Sequence, residues 1–356
     1  MKQLSQTSAL LLLLALLSGC STLSYYHQAV AGHLSLMVRS EPIKTVLATP
    51  DLDPDLEHKL TLADSARQFA ENTLALPVGS AFTRFVELDS PWVVVNLVAV
   101  PEFSLTPHQW CYPVVGCQAY RGYFQLDPAR HERQQFQNQG YDTFIGAVTA
   151  YSTLGWFDDL LHTGFTRLDD ERMVALMFHE LAHQVVYINH DSAFNESFAT
   201  AVELEGLRRW LEQTGKPEGF RRALQRLEHR NQTLLLVQDI SRQLTKLYQQ
   251  KDALPVEPLR ARKQALLDVL AWRYQQLAKN FPEPGPFGTP PVNLNNANLA
   301  LFRQYNQHVP AFRQLLRDHQ GDFASFYRAV IQLSQAPEAD RHSRLKSLSE
   351  RFVEHL

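Results

Sequence analysis

Phe178-His179-Glu180-Leu181-Ala182-His183-Gln184 decides how this chain is read. On a helix, residues i and i+4 share one face, about 6 Å apart along the axis. Two imidazoles spaced as His179 and His183 can therefore meet one tetrahedral zinc. Glu180 then lies one residue from the first ligand, where its carboxylate can reach a water at the metal. The flanking Leu176, Met177, Leu181, Ala182 and Val185 are uncharged, which suits a helix buried in a core. Asp169-Asp170-Glu171 supplies the acidic start of that helix.

Catalytic zinc needs a third protein ligand and an open fourth position. Glu196 lies thirteen positions after His183, early on the next helix, for which Asp191 or Ser192 is the expected cap. An antiparallel pair with a short connection would return it to the metal. Glu203 comes back to the same face two turns later, where it can accept from the outer nitrogen of His179 and fix the tautomer. The predicted ligands are His179, His183 and Glu196, with Glu203 behind them. His190 as a fourth ligand would close the site and is not expected. His162, His308 and the other histidines show no pairing and read as surface residues.

Outward from this motif the pattern is α+β, mostly α. Residues 20–79 read as a helical segment in which Leu34, Val38 and Ile43 face one way, and Leu60, Ala66, Phe69 and Ala70 recur at helical spacing. Residues 80–165 read as a small, largely antiparallel sheet. Its strands are Trp92–Val100, Gln118–Leu126 and Gly146–Leu154, with a helix near Pro128–Gln139. Residues 166–356 form the helical half, with long polar helices near 218–251 and 257–280 read as an antiparallel hairpin. A Pro/Gly-rich break, Phe281 to Pro291, precedes the last helices.

The first nineteen residues read as a signal peptide, a short basic start followed by the apolar run Ala9–Leu17. Leu17-Ser18-Gly19-Cys20 looks like a bacterial lipobox, which implies a lipid on Cys20. Ser21 after it suggests the outer membrane, facing the periplasm, with the lipid as the only membrane contact. In an oxidising compartment Cys111 and Cys117, flanking a turn-rich segment, are expected to form a disulfide. Net charge is −3 in 356 residues with the charges well mixed. No basic stripe suggests nucleic acid binding.

Asn195-Glu196-Ser197-Phe198-Ala199, with Glu203 beyond it, resembles the Asn-Glu-Gly-Phe-Ala motif and later glutamate of the large zinc aminopeptidases. The resemblance implies a zincin-like catalytic core, a Zn2+ ion, Glu196 as its third ligand and Glu203 behind it. The whole chain, including Tyr120-Arg121-Gly122-Tyr123-Phe124 and Tyr151-Ser152-Thr153-Leu154-Gly155-Trp156-Phe157, also resembles a family of predicted bacterial aminopeptidases. Two departures stand out. The gap from His183 to Glu196 is shorter than in the large enzymes. Thr149, in Gly146-Ala147-Val148-Thr149-Ala150, occupies the position of their amine-recognising glutamate.

These residues lead to an expected zinc metallopeptidase of the cell envelope, aminopeptidase-like, with a peptide substrate. Glu180 is its general base and acid. Tyr305 is the first candidate for stabilising the oxyanion, with Tyr151 and Tyr187 as rivals, and Thr149 and Tyr151 are expected to line the substrate groove. Two other readings stay open. One is a non-catalytic zinc- or peptide-binding lipoprotein; the other is an amidase acting on cell-wall fragments.

Overall fold

A computed structural model describes residues 25–112, 116–148, 159–189, 191–302 and 308–354. Within them the N-terminal part comprises helix α1 (25–39), strand β1 (Glu41–Pro42), α2 (Ile43–Leu47) and α3 (Pro54–Asn72). Strands β2 (Arg84–Val86), β3 (Val94–Pro101), β4 (Trp110–Tyr112), β5 (Gly116–Gln118) and β6 (Arg121–Tyr123) precede α4 (Leu126–Asn138) and β7 (Tyr141–Val148). Then come β8 (Leu161–His162), α5 (Thr163–Thr166), α6 (Asp170–His183), α7 (Ser192–Gln213), α8 (Glu218–Tyr248) and α9 (Val256–Ala278). The chain closes with α10 (Asn296–Phe302), α11 (Val309–Asp318), α12 (Phe323–Ser334) and α13 (Glu338–Arg351). Helix accounts for 61% and the sheets are small, so the class is α+β with α dominant.

The extended residues form three small sheets where the apolar alternation suggested one. In the central sheet β3 lies between β6 and β7, antiparallel to both, and it pairs with β7 along its whole length. Its Val-Val-Asn-Leu-Val-Ala-Val run is buried on both faces because α4 covers one side and α10 the other. Strand β7 begins five residues before the expected Gly146, and the positions after Val148 lie outside the described residues. A second sheet orders β1-β2-β8, with β2 parallel to β8. Strands β4 and β5 form a hairpin in which Cys111 and Cys117 are directly paired and joined by a disulfide.

The largest core lies between α3, α6, α7 and the last three helices. Phe69 stacks on Phe178 at 5.8 Å and meets Trp210 edge-on at 5.2 Å, tying α3 to α6 and α7. Helix α7 approaches α6 closely at Gly206, where a Cβ would sit 2.8 Å from Leu74 Cδ1 and 2.9 Å from Phe178 Cδ2. Glycine is the one residue that permits this contact without displacing Phe178, the neighbour of His179.

Helices α8 and α9 form the expected antiparallel hairpin around Val237, Ile240, Leu244 and Leu270. A buried polar knot fastens it to the central sheet. Lys263 on α9 meets Asp142 on β7 at 2.6 Å, and the same carboxylate accepts from the Asn296 backbone at 2.9 Å. Tyr248 on α8 donates to Asn296 Oδ1 at 2.8 Å.

Two sequence expectations fail. Leu34 and Val38 are 55% and 84% exposed whereas Ile43 is buried, so the three do not share a covered face. His162 and His229 are both buried, not surface residues. His162 caps α5 by accepting from Gly164 N at 3.1 Å, and His229 is stacked on Phe281. His308 is half-buried beside His342.

Candidate metal centre

Helix α6 starts where Asp169 accepts from Arg172 N and runs to His183, the last residue before the C-cap Gln184. Its apolar face, Met173, Val174, Met177, Phe178 and Leu181, is fully buried. Packing on that face fixes the rotation of the helix, and the opposite edge carries His179, Glu180 and His183. Helix α7 starts where Asp191 accepts from Phe194 N at 3.0 Å. Arg341 on α13 grips the other oxygen of Asp191 at 2.8 Å.

Between the helices the connection is held by Asn195. Its amide accepts from Ile188 N at 2.9 Å and donates to Ile188 O at 2.8 Å. The residue is 1% exposed and its partner Ile188 is half-buried. The next residue, Glu196, is thereby aimed back at α6.

Glu196 Oε2 lies 3.4 Å from His179 Nε2, and Oε1 lies 3.8 Å from His183 Nε2. The two imidazole rings are 4.9 Å apart and nearly perpendicular. One ligand atom from each of the three residues falls within a 4.8 Å span. Metal–ligand bonds of 2.0–2.2 Å in a tetrahedron separate ligand atoms by roughly 3.3–3.6 Å, so the spacing suits one small divalent ion. Two neutral imidazoles and a carboxylate are also a donor set that zinc accepts. Glu203 Oε2 is 3.0 Å from His179 Nδ1, on the ring nitrogen that points away from the group. With Nδ1–H donated to Glu203, Nε2 is the nitrogen turned to Glu196 and the one that would bind a metal on giving up its proton.

The electrostatics separate the titrating groups. Burial alone would lower the pKa of His179, but the bonds to Glu196 and Glu203 outweigh it and raise it well above the usual value. Burial pushes His183 down to about 4, with His179 adding to the effect. Burial would raise Glu196, yet His179, His183 and Arg230 together hold it below the usual carboxylate range. Glu180 goes the other way: burial pushes it up to about 7 against the pull of His179, and Asp159 adds to the rise. A carboxylate near neutrality can both take and return a proton.

The family model described as Putative aminopeptidase matches residues 24–345. The chain belongs to that family. No curated protein matches it, and no solved structure does. The matched range holds the His179, His183 and Glu196 group together with the whole of α6 and α7.

In this aminopeptidase-family chain the residues picked out by sequence divide into two sets. His179, Glu180, His183, Glu196 and Glu203 are brought together as the helical spacing requires. Tyr187 also reaches the site: its ring is 6.3 Å from that of His183, and Glu196 helps raise its pKa after burial. Cys20, Thr149, Tyr151, His190 and Tyr305 lie outside the described residues.

Several neighbours of the site had no role assigned from sequence. Tyr120, in the turn before β6, is pushed up to about 12 by burial, then by Tyr187 and Glu196. Asp159 is 5% exposed and accepts from Gln184 at 3.1 Å, beside Glu180. Arg172, Arg226 and Arg230 line the cavity that opens at His179 and Glu196. The arginines had a legible signal, since Arg222, Arg226 and Arg230 recur every four residues along a predicted helix. Tyr120 had none beyond its place in an aromatic run.

Proposed function

We propose that this chain hydrolyses peptide bonds with a zinc ion held by His179, His183 and Glu196, in an aminopeptidase-like reaction at the cell envelope. The observation that carries the reading is the convergence of these three side chains, with Glu203 on the outer nitrogen of His179 and Glu180 beside them. A purely structural zinc site has no use for a carboxylate in the position of Glu180.

Bound there, zinc would supply Lewis-acid chemistry, acidifying a water and polarising the scissile carbonyl. Glu180 takes the proton from the attacking water and delivers it to the leaving amine as the C–N bond breaks. Glu203 keeps the His179 ring oriented. Tyr187, with its ring 6.3 Å from that of His183, is placed to donate a hydroxyl to the developing oxyanion, and Tyr120 is a further candidate. Tyr305 and Tyr151 remain candidates for that donation.

The envelope location rests on Leu17-Ser18-Gly19-Cys20, read as a lipid-attachment sequence. No helix among the described residues is long and apolar enough to cross a membrane. Cys20→Ala should abolish lipid labelling in cells; undiminished labelling overturns the anchor.

The test of the chemistry is a comparison of two glutamates. Glu180→Gln should retain zinc and lose hydrolysis by about 10²–10⁴-fold, whereas Glu196→Ala should lose zinc. Hydrolysis by Glu180→Gln at the wild-type rate overturns the mechanism. Normal zinc binding with no cleavage across a peptide library supports the non-catalytic reading, and cleavage of cell-wall fragments alone supports the amidase.

A further inference from the structure

Two helices, α6 and α8, bring cationic side chains to one side of the metal centre. Arg172 lies two turns before His179 on α6 and shares its face. On α8, Arg222, Arg226 and Arg230 form a single stripe. Arg172, Arg226 and Arg230 line a cavity of about 440 Å³ together with His179, Glu196 and Glu203. The same three arginines line an adjoining cavity of about 220 Å³, walled by the Phe281–Pro286 segment. Both spaces share these side chains, so the cleft at the metal ligands adjoins the outer cavity there.

Its walls are built, not incidental. Phe281 stacks face to face on His229 at 4.2 Å, and Gly285 packs so tightly on His229 that a Cβ there would lie 2.4 Å from the ring. His229 lines the outer cavity, and its Nε2 is buried with no hydrogen-bond partner among the described residues. Arg226 Nη1 is positioned by Glu283 at 3.3 Å, and Arg222 is paired with Glu171. Arg230 is near enough to Glu196 to help hold its carboxyl ionised. Among the described residues, the acids lining the cleft are Glu196 and Glu203, both turned to His179, and Glu283, turned to Arg226. With a divalent metal bound the cleft therefore carries net positive charge.

We propose that this cleft is a carboxylate-reading subsite, in which Arg172, Arg226 and Arg230 select peptides that carry an anionic group close to the bond to be cut. The proposal rests on the reading of the metal centre as a peptidase site. A planar guanidinium offers five donors in a fork that matches a carboxylate, and a pair of such bonds is both strong and directional. Peptides present that group either as an Asp or Glu side chain or as the C-terminal carboxylate, and the cleft chemistry accepts both.

The test uses the zinc-loaded full chain and two sets of penta-alanine peptides with free amino termini. In the first set the C-terminus is free or amidated. In the second every peptide is amidated and carries one Glu or one Gln at each position in turn. The carboxylate member of at least one pair should be cleaved with a kcat/KM about 10–100-fold higher, the range expected for charge-assisted hydrogen bonds. Arg226→Gln and Arg230→Gln should bring that ratio close to one. Preference confined to the free C-terminus assigns the carboxylate to the chain end; preference confined to Glu assigns it to a side chain.

Titration calorimetry of the same peptides on the Glu180→Gln protein reads binding without turnover. Tighter binding of the carboxylate members there, with no hydrolysis by the wild type, sinks the peptidase reading and keeps the subsite. Equal treatment of every pair, in wild-type hydrolysis and in binding, overturns the subsite even if catalysis is robust. Failure of every carboxylate peptide to bind does the same. The wild-type comparison holds even if an arginine variant does not fold.

Discussion

Asn195 and Ile188 exchange two hydrogen bonds, 2.9 Å and 2.8 Å long, across the turn between α6 and α7. One side chain thus satisfies both backbone groups of a residue in the connection, and the third metal ligand is the next residue along. The shape of the turn, not the helices alone, sets where Glu196 points.

Asn195→Ala should therefore harm both stability and metal binding. It leaves Ile188 N–H without its partner in a half-buried place, at about 1–3 kcal/mol, while Ile188 C=O keeps only the bond from Asp191 N at 3.2 Å. Urea unfolding with a chelator present should show the loss without contribution from metal. Zinc affinity should fall as well, because Glu196 is no longer aimed. Unchanged stability together with unchanged affinity would show that the clamp is not what holds Glu196.

The legible and illegible parts of the site separate by the range of the contacts. His179 and His183 were readable because i,i+4 spacing on a helix is local geometry. Glu196 and Glu203 were readable because a short connection between two helices leaves few ways for the second to return. The Asn195–Ile188 clamp and the Arg341 grip on Asp191 were not, since neither leaves a periodic trace; the second joins residues 150 positions apart. The sheets show the same limit. The run Trp92–Val100 announces a strand, yet nothing in the sequence says that β2 will pair in parallel with β8. Leu34 and Val38 mislead for a related reason, because an apolar helical stripe reads alike whether it is covered or exposed.

Glu203→Gln tests the orientation of His179. The substitution keeps an oxygen that can accept from Nδ1–H but removes the charge that strengthens the bond. Zinc affinity should drop by roughly 10–100-fold with little change in thermal stability of the metal-free protein. A competition assay with a chromophoric chelator measures the first and calorimetry the second. Wild-type affinity would mean that the 3.0 Å contact does not orient the ring.

Gly206→Ala tests whether helix spacing reaches the site. The new methyl would fall 2.9 Å from Phe178 Cδ2, so Phe178 or α7 must shift. Overpacking of this kind costs about 1–3 kcal/mol, and the displaced residue adjoins His179. The variant should unfold at lower denaturant concentration and bind zinc more weakly. A loss of stability with metal affinity intact would confine the effect to the core.

His162 should give the protein an acid-sensitive stability of its own. Its Nδ1 accepts from Gly164 N at 3.1 Å, so the proton of the neutral ring sits on Nε2, and protonating Nδ1 would break the cap of α5. Burial pushes the folded-state pKa down to about 4, whereas in the unfolded chain it is about 6.5. Between these values the unfolded chain binds a proton that the folded chain refuses. Stability is therefore complete above pH 6.5, falls as pH drops toward 4, and loses nothing more from this group below that. The window corresponds to about 3 kcal/mol at most. Carboxylates elsewhere also weaken the fold in acid, so the measurement is a difference. Urea midpoints of the wild type and His162→Asn, whose side-chain oxygen can still accept from Gly164 N, should be taken from pH 7.5 to 4. The wild type should lose stability more steeply than the variant between pH 6.5 and 4. Parallel curves would mean that His162 is protonated equally in both states and that its burial is not what excludes the proton.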